Sequence, residues 1–305
     1  LCGRLLGEHT PHISAFANRN QAGCQVIDPV LPALTCSVQS TYLTGTMPDE
    51  HGIVGNGWYD RELNEHHFWK QSNQLVQSRK IWDVLREKKK GFSCANLFWW
   101  YNMHSSVDHS ITPRPLYRAD GFKSFDVHTQ PMHLREEIKA DLGDFPFHGF
   151  WGPKAGIASS NWIAESAKWT EEKHSPDLSL VYLPHLDYDL QRLGPNDPKI
   201  SKALNEIDQV VGELISFYEK RGILLIILSE YGIKEVKNVI YTNREIRNKG
   251  WLSTKYELEL EYLNCGRSKE FTVTENQADN VYLQEEYHRI RKEVGNCLES
   301  METVE

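Results

Sequence analysis

Apolar positions recur along this chain in two rhythms, and the alternation of the two is the first structural signal. Thr10-Pro11 followed by His12 to Phe16 reads as a capped start with Pro at the first helical position. Thr35 to Thr46 has helical character and stops at Gly45 and Met47-Pro48. Ser78 to Lys90 places Ile81, Val84 and Leu85 on one face of a helix. Ser159 to Lys173 is a second amphipathic helix carrying Trp162, Ile163 and Trp169, and Ile200 to Arg221 is a third with Leu204, Ile207, Val210, Val211, Leu214 and Ile215 inward. Between them lie apolar runs of strand length: Cys24–Ile27, "FSCANLFWW" from Phe92, Leu178–Pro184, and "GILLIILS" at Gly222–Ser229, the clearest strand by pattern. Strands apolar on both faces, alternating with helices, predict an α/β fold with a mostly parallel central sheet covered by helices on both faces.

The segment from Ile240 changes character. "IYTNREIRNKGWL" reads as a helix running into a turn, "FTVTENQADNVYLQ" as two short strands, and Glu285–Glu305 as a charged helix with Ile290, Val294, Leu298 and Met301 on one side. Residues 1–240 are therefore expected to form the core, and 241–305 either the far edge of that domain or a small appended subdomain.

Composition narrows the partners. At 305 residues, with 40% apolar and 25% charged positions, the chain is long enough for one large core and is unlike a disordered segment. A net charge of −8 without a basic block argues against a nucleic-acid polymer, and no apolar run is long enough to span a bilayer. The six cysteines show no CxxC pair, so free thiols in a reducing compartment are the default expectation. The chain opens at Leu1 without a Met or an apolar leader, which leaves any targeting segment outside the sequence.

In open α/β sheets, ligands bind at the carboxyl ends of the strands. "PALTCS", "PHLDYDLQRLGP" and "SEYGI" leave predicted strands at that edge, and all carry polar groups. A hydroxyl at a helix N-terminus facing carboxylate loops suits phosphoryl chemistry: the helix end attracts phosphate, and carboxylates can hold divalent cations. Each residue also has a plainer role. Thr35 could simply cap its helix; Asp187 and Glu230 could be solvated loop carboxylates; Tyr231 could pack. Trp99, Trp100 and Tyr101, within "LFWWYN", could stack on a nucleobase or fill the core at a strand end. Glu65-His66-His67 is better read as a surface loop than as a metal site, because adjacent strand histidines point to opposite faces. His104, Asp108 and His109 match no ligand spacing, and His51 is expected to fix the loop after the Thr35 helix.

Pro32-Ala-Leu-Thr35 followed by Thr44-Gly45-Thr46-Met47-Pro48-Asp49-Glu50-His51-Gly52-Ile53 resembles the type I phosphodiesterase/nucleotide pyrophosphatase family of the alkaline phosphatase superfamily. Asp187 to Gly194-Pro195 is similar to the family's Asp-x-x-x-His-x-x-Gly-Pro metal loop, and Ser229-Glu230-Tyr231-Gly232 to its Ser-Asp-His-Gly loop. The resemblance covers roughly residues 10–233. It implies an alkaline phosphatase-like fold, a nucleophilic Thr35, and metal held at Asp187 and Glu230. Gln191 and Tyr231 stand where the family has His, Glu230 replaces Asp, and Val38 stands where an Asn holds phosphate oxygen. A further family ligand, an Asp, would lie before Leu1, and a last His would come from a more C-terminal segment. A Gln amide and a Tyr phenol are poor zinc ligands at neutral pH, so a two-zinc site is not expected. One metal, or a harder ion such as Mg²⁺ on Asp187, Glu230 and Asp189, is the remaining expectation.

Two functions follow from the resemblance. One is a hydrolase that cleaves small phosphate esters through Thr35 with a divalent metal, Zn or Mg. The other is a catalytically inactive relative that serves as an accessory subunit, with protein partners in an assembly.

Overall fold

In a computed structural model, described over residues 7–19, 24–275, 278–284 and 290–300, the chain folds around a mixed sheet. The helices, in chain order, are α1 (Pro11–Arg19), α2 (Thr35–Thr44), α3 (Pro48–His51), α4 (Ile81–Lys88), α5 (Leu134–Leu142), α6 (Ile157–His174), α7 (His185–Leu193), α8 (Ile200–Glu219), α9 (Thr242–Asn248) and α10 (Arg291–Glu299). The central sheet uses β3 (Cys94–Leu97), β4 (His109–Tyr117), β5 (Lys123–Gln130) and β6 (Leu178–Val181), in the order β5-β4-β3-β6. β3 runs parallel to both β4 and β6, and β5 closes the sheet antiparallel to β4. Hairpins β1–β2 (Gly57–Asp60, Glu65–Phe68), β7–β8 (Thr254–Glu257, Leu260–Leu263) and β9–β10 (Glu270–Glu275, Ala278–Leu283) lie outside it.

β3 explains the two-sided covering. All four of its residues are buried, and successive side chains leave opposite faces. Leu97 joins Ile111 and Val127 under α5, α6 and α8, through Ile138, Ile163, Leu214 and their neighbours. Cys94 faces the other way, onto Leu43 of α2 and Trp82 of α4. This is the expected architecture of a largely parallel sheet with helices on both faces. α1 is held by a long-range cap: the fully buried Asp208 of α8 accepts the backbone N–H groups of His12 and Ile13 at 3.0 and 2.9 Å. The carboxylate satisfies donors that the helix itself leaves open.

Several expectations change. α4 forms where the pattern put it, but the large buried side chain is Trp82, and Ile81 is exposed, because the indole fills the space against Cys94. The histidines expected in a surface loop sit in β2, where His66 packs on Tyr59 and Phe271, and His67 packs on Trp58. Their opposite faces are the strand alternation at work. Neither Cys24–Ile27 nor Gly222–Ser229 is a strand. The second segment is extended, with Ile223 and Leu225 against the core while Leu224 and Ile226 are 86% and 75% exposed. Among the described residues no ladder pairs it, and a strand exists only through its pairing. The free-thiol expectation also fails at one position: Cys24 is disulfide-bonded, whereas Cys36, Cys94, Cys265 and Cys297 are free.

The C-terminal segment follows its expected outline. β9–β10 returns to the β1 hairpin, where Glu275 accepts the N–H groups of Asn56 and Gly57, and the Tyr282 hydroxyl accepts that of Tyr59. The charged helix is present as α10, with Val294 buried; 285–289 and 301–305 lie outside the described residues.

Candidate active site

The loops expected at the carboxyl edge of the sheet meet in space. Thr35 opens α2, is 3% exposed, and follows the turn in which Leu34 N–H donates to Pro32. Gly45 closes the same helix in the left-handed conformation that glycine adopts without steric cost. Cys36 N–H, in the first turn, donates to Asn56 Oδ1 at 2.9 Å, which anchors the head of α2 on the segment before β1. His51 then ties the loop behind the helix. Its Nδ1 accepts from Ile53 N–H at 3.1 Å, leaving Nε2–H to donate to Thr41 Oγ1 at 3.0 Å. This is the role expected for His51.

Around Thr35 the polar groups form an ordered chain. Thr35 Oγ1 lies 3.2 Å from the Tyr231 hydroxyl, and that hydroxyl donates to Asp187 Oδ1, also at 3.2 Å. Because the phenol gives its only proton to Asp187, its oxygen is the acceptor toward Thr35. The second oxygen of Asp187 accepts from Gln191 Nε2 at 2.8 Å, one helical turn further along α7. Glu230 lies beside Thr35 and accepts from Gln39 Nε2. Gln39 completes the frame by accepting Trp100 N–H at 2.8 Å.

Burial governs the ionisation of these groups. Desolvation first, and then the nearby Asp187 charge, push Glu230 up to about 8, against the hydrogen bond from Gln39 and the nearby Thr35 hydroxyl, which lower it. Asp187 is also raised by burial, less strongly, because Gln191 and Tyr231 donate to its charged form. Tyr231 and Tyr182 are pushed up by burial and by these carboxylates. Among the described residues, no Lys or Arg sets the ionisation of Asp187 or Glu230. Burial and the Asp187 charge make Glu230 the member of the pair whose proton is held to higher pH.

The other sequence candidates fall in different places. Val38 is fully buried in α2, and Asp189 turns to Arg192. Trp99, Trp100 and Tyr101 are 7%, 3% and 2% exposed and belong to the core around the site. Trp100 packs between Trp69, with ring centroids 4.8 Å apart, and Trp151, at 6.1 Å. Asp108 pairs with Arg86 and accepts Cys94 N–H, while His109 stacks on His174, so the loose His104–Asp108–His109 group does not converge. Gln39, Asn56 and Tyr182 were not singled out by sequence. Gln39 lies on the helix one turn after Thr35, and that position was the available signal.

The motifs agree with direct comparison. The type I phosphodiesterase / nucleotide pyrophosphatase family matches residues 2–300, and the chain belongs to it. An uncharacterised pyrophosphatase/phosphodiesterase of Schizosaccharomyces pombe is 27% identical over 258 residues, covering 82% of this chain and 44% of that protein. Human ectonucleotide pyrophosphatase/phosphodiesterase family member 1 is 24% identical over 227 residues, covering 71% and 20% respectively. The chain thus spans less than half the length of these relatives. Murine ectonucleotide pyrophosphatase/phosphodiesterase 5 shares the fold with a TM-score of 0.58 at 17% identity, over 96% of this chain and 65% of that one. Phosphonoacetate hydrolase of Sinorhizobium meliloti, bound to phosphonoacetate, gives 0.63 at 13% identity, over 96% and 68%.

A divalent metal accords with the family, but the donors here do not build a pair of zinc sites. Both oxygens of Asp187 already accept hydrogen bonds, and the neighbouring groups are an amide and a phenol. Among the described residues, no three His, Cys, Asp or Glu side chains converge on one point. Zinc favours imidazole, thiolate and carboxylate donors, and this set offers only the carboxylates.

Proposed function

We propose that the chain is a phosphate-ester hydrolase in which Thr35 attacks phosphorus. The observation that carries this reading is the hydrogen-bonded sequence Thr35–Tyr231–Asp187, with Glu230 on the other side of the same hydroxyl. As the Thr35 oxygen bonds to phosphorus, its proton passes to Tyr231 while the Tyr231 proton passes to Asp187. The bond from phosphorus to the departing alcohol breaks, and that oxygen takes the proton held by Glu230. Water then attacks the phospho-threonine and gives a proton to the Glu230 carboxylate. The Thr35 oxygen recovers its own proton from Asp187 through Tyr231. The substrate class is a small phosphorylated ester, in keeping with the family. The Cys24 disulfide further suggests that the chain matures in an oxidising compartment.

The catalytically inactive accessory role is the second reading, and one observation favours it. Among the described residues, no Lys or Arg acts on the ionisation of Asp187 or Glu230, so an incoming phosphate would meet the Asp187 charge without a cationic side chain to offset it. Hydrolysis of a chromogenic phosphodiester by wild type and Thr35→Ala decides between the two. The hydrolase reading expects turnover that falls at least about 10²-fold in Thr35→Ala, and a rate that declines above about pH 8 as Glu230 loses its proton. Equal rates in both proteins would leave the accessory reading.

A further inference from the structure

We infer that the positions where the family resemblance places imidazole ligands have become a hydrogen-bonded lock, and that the lock holds the Thr35 hydroxyl without zinc. The inference rests on the Thr35 site being the functional one, but it does not require turnover. Gln191 lies one turn after Asp187 on α7, and its amide nitrogen donates to Asp187 Oδ2 at 2.8 Å. Tyr231 enters from the loop after the extended 223–229 segment and donates to Asp187 Oδ1 at 3.2 Å. Between them the two substituted side chains occupy both carboxylate oxygens. Tyr231 then uses its oxygen to accept from Thr35 at 3.2 Å. The two replacements are therefore complementary: one donor engages each oxygen, and one of the donors reaches on to the attacking group.

Chemistry separates this arrangement from a vacant metal site. An imidazole facing a carboxylate leaves a lone pair for a cation, whereas an amide N–H₂ and a phenol O–H present protons to the carboxylate instead. A zinc ion at Asp187 would find an amide N–H₂ and a phenol O–H turned toward the same carboxylate, and the only further donors these side chains could offer it are a neutral amide oxygen and a protonated phenol. Gln39 does the same for Glu230 by presenting its N–H₂ to the carboxyl group. Tyr231 is thus a positioning residue: it sets the direction of the Thr35 proton and keeps Asp187 from acting as a ligand.

The test is zinc binding by the 305-residue chain, measured as metal retained after dialysis against buffered free zinc and as the visible bands of added Co²⁺. Wild type is expected to retain little metal. Gln191→His/Tyr231→His, which removes both donors and supplies two imidazoles, is expected to bind zinc at least about 10-fold more tightly, with tetrahedral Co²⁺ bands. Gln191→His alone changes one exposed side chain, and it serves if the double variant melts early; it is expected to show a smaller gain in the same direction. Wild type holding one zinc or more per chain would overturn the lock. So would histidine variants that fold yet gain no affinity. The phosphodiester assay fails separately: zinc-free wild type without Thr35-dependent turnover removes the hydrolase and leaves the lock, and zinc-loaded wild type with turnover does the reverse.

Discussion

β3 and the 223–229 segment carry similar apolar runs and end in opposite situations. β3 has parallel neighbours on both sides, helices over both faces, and no exposed residue. The 223–229 segment places Ile223 and Leu225 against the core, yet Leu224, Ile226 and Leu228 face water. β6 lies between these extremes: paired to β3 on one edge, it is half-buried along its whole length. Hydrophobic run length therefore reports that a segment could be a buried strand, while burial itself comes from what lies on either side. The two halves of the molecule should differ in stability accordingly.

Amide exchange gives the largest expected contrast. The amides of β3 are held in parallel ladders on both edges, whereas those of residues 224–228 have no backbone acceptor among the described residues. Exchange at 224–228 should be faster than in β3 by several orders of magnitude, since β3 opens only with the core. Comparable protection in the two segments would mean that 223–229 is paired after all. Core truncation comes next. Leu97→Ala should cost about 3 kcal/mol in urea unfolding, because Leu97 is fully buried among Phe98, Ile111 and Ile163 and its neighbours cannot collapse into the space. A loss below about 1 kcal/mol would show that the packed half is softer than its burial indicates.

The same contrast explains what was legible in the sequence. Helices α2, α6 and α8 could be read because their apolar positions and stop signals are local: Gly45 ends α2 in the turn it was expected to make. β4 and β5 could not. β4 carries Pro113 and Pro115, which usually exclude a central strand. Its pairing with β3 stops at Ile111, so both prolines lie where β4 has only β5 beside it. The 223–229 segment erred the other way, with a strong pattern and no partner. At the site, Thr35, Asp187, Glu230, Gln191 and Tyr231 were found through sequence motifs, and the structure does bring them together. What the motifs could not carry is the direction of each hydrogen bond. Gln39 and Asn56 escaped for the same reason, since their partners Glu230 and Cys36 are far away in sequence.

A smaller effect belongs to the packed half. His109, at the start of β4, stacks on His174, at the end of α6, with ring centroids 4.0 Å apart. Among the described residues, His109 Nδ1 and His174 Nε2 are buried without hydrogen-bond partners. Burial lowers both pKa values; His133 and the facing imidazole add to this at His109, His133 and Lys173 at His174, against Asp108 and Glu137 respectively. The fold thus favours the neutral form of both rings. Their contribution is present above the unfolded imidazole value near 6.5 and is lost as pH falls below it. His174→Phe should retain the stack and reduce the loss of stability as pH falls from 7 to 5. An unchanged pH slope in that variant would show that the pair does not titrate in this range.

The smallest expected effect is the most pointed test of the comparison. Leu224 is 86% exposed, so Leu224→Lys removes almost no buried apolar surface and introduces a charge that water can solvate. Substitutions at such positions usually change stability by less than about 0.5 kcal/mol. Had the segment been the buried parallel strand its pattern suggests, the same change would desolvate an ammonium group and remove a core leucine, at a cost of several kcal/mol. Urea unfolding of Leu224→Lys beside Leu97→Ala therefore reads the position of 223–229 directly. A near-neutral Leu224→Lys keeps it as an extended, open flank of the sheet. A loss approaching that of Leu97→Ala would place it inside a sheet, and the apolar pattern would then have been the better guide.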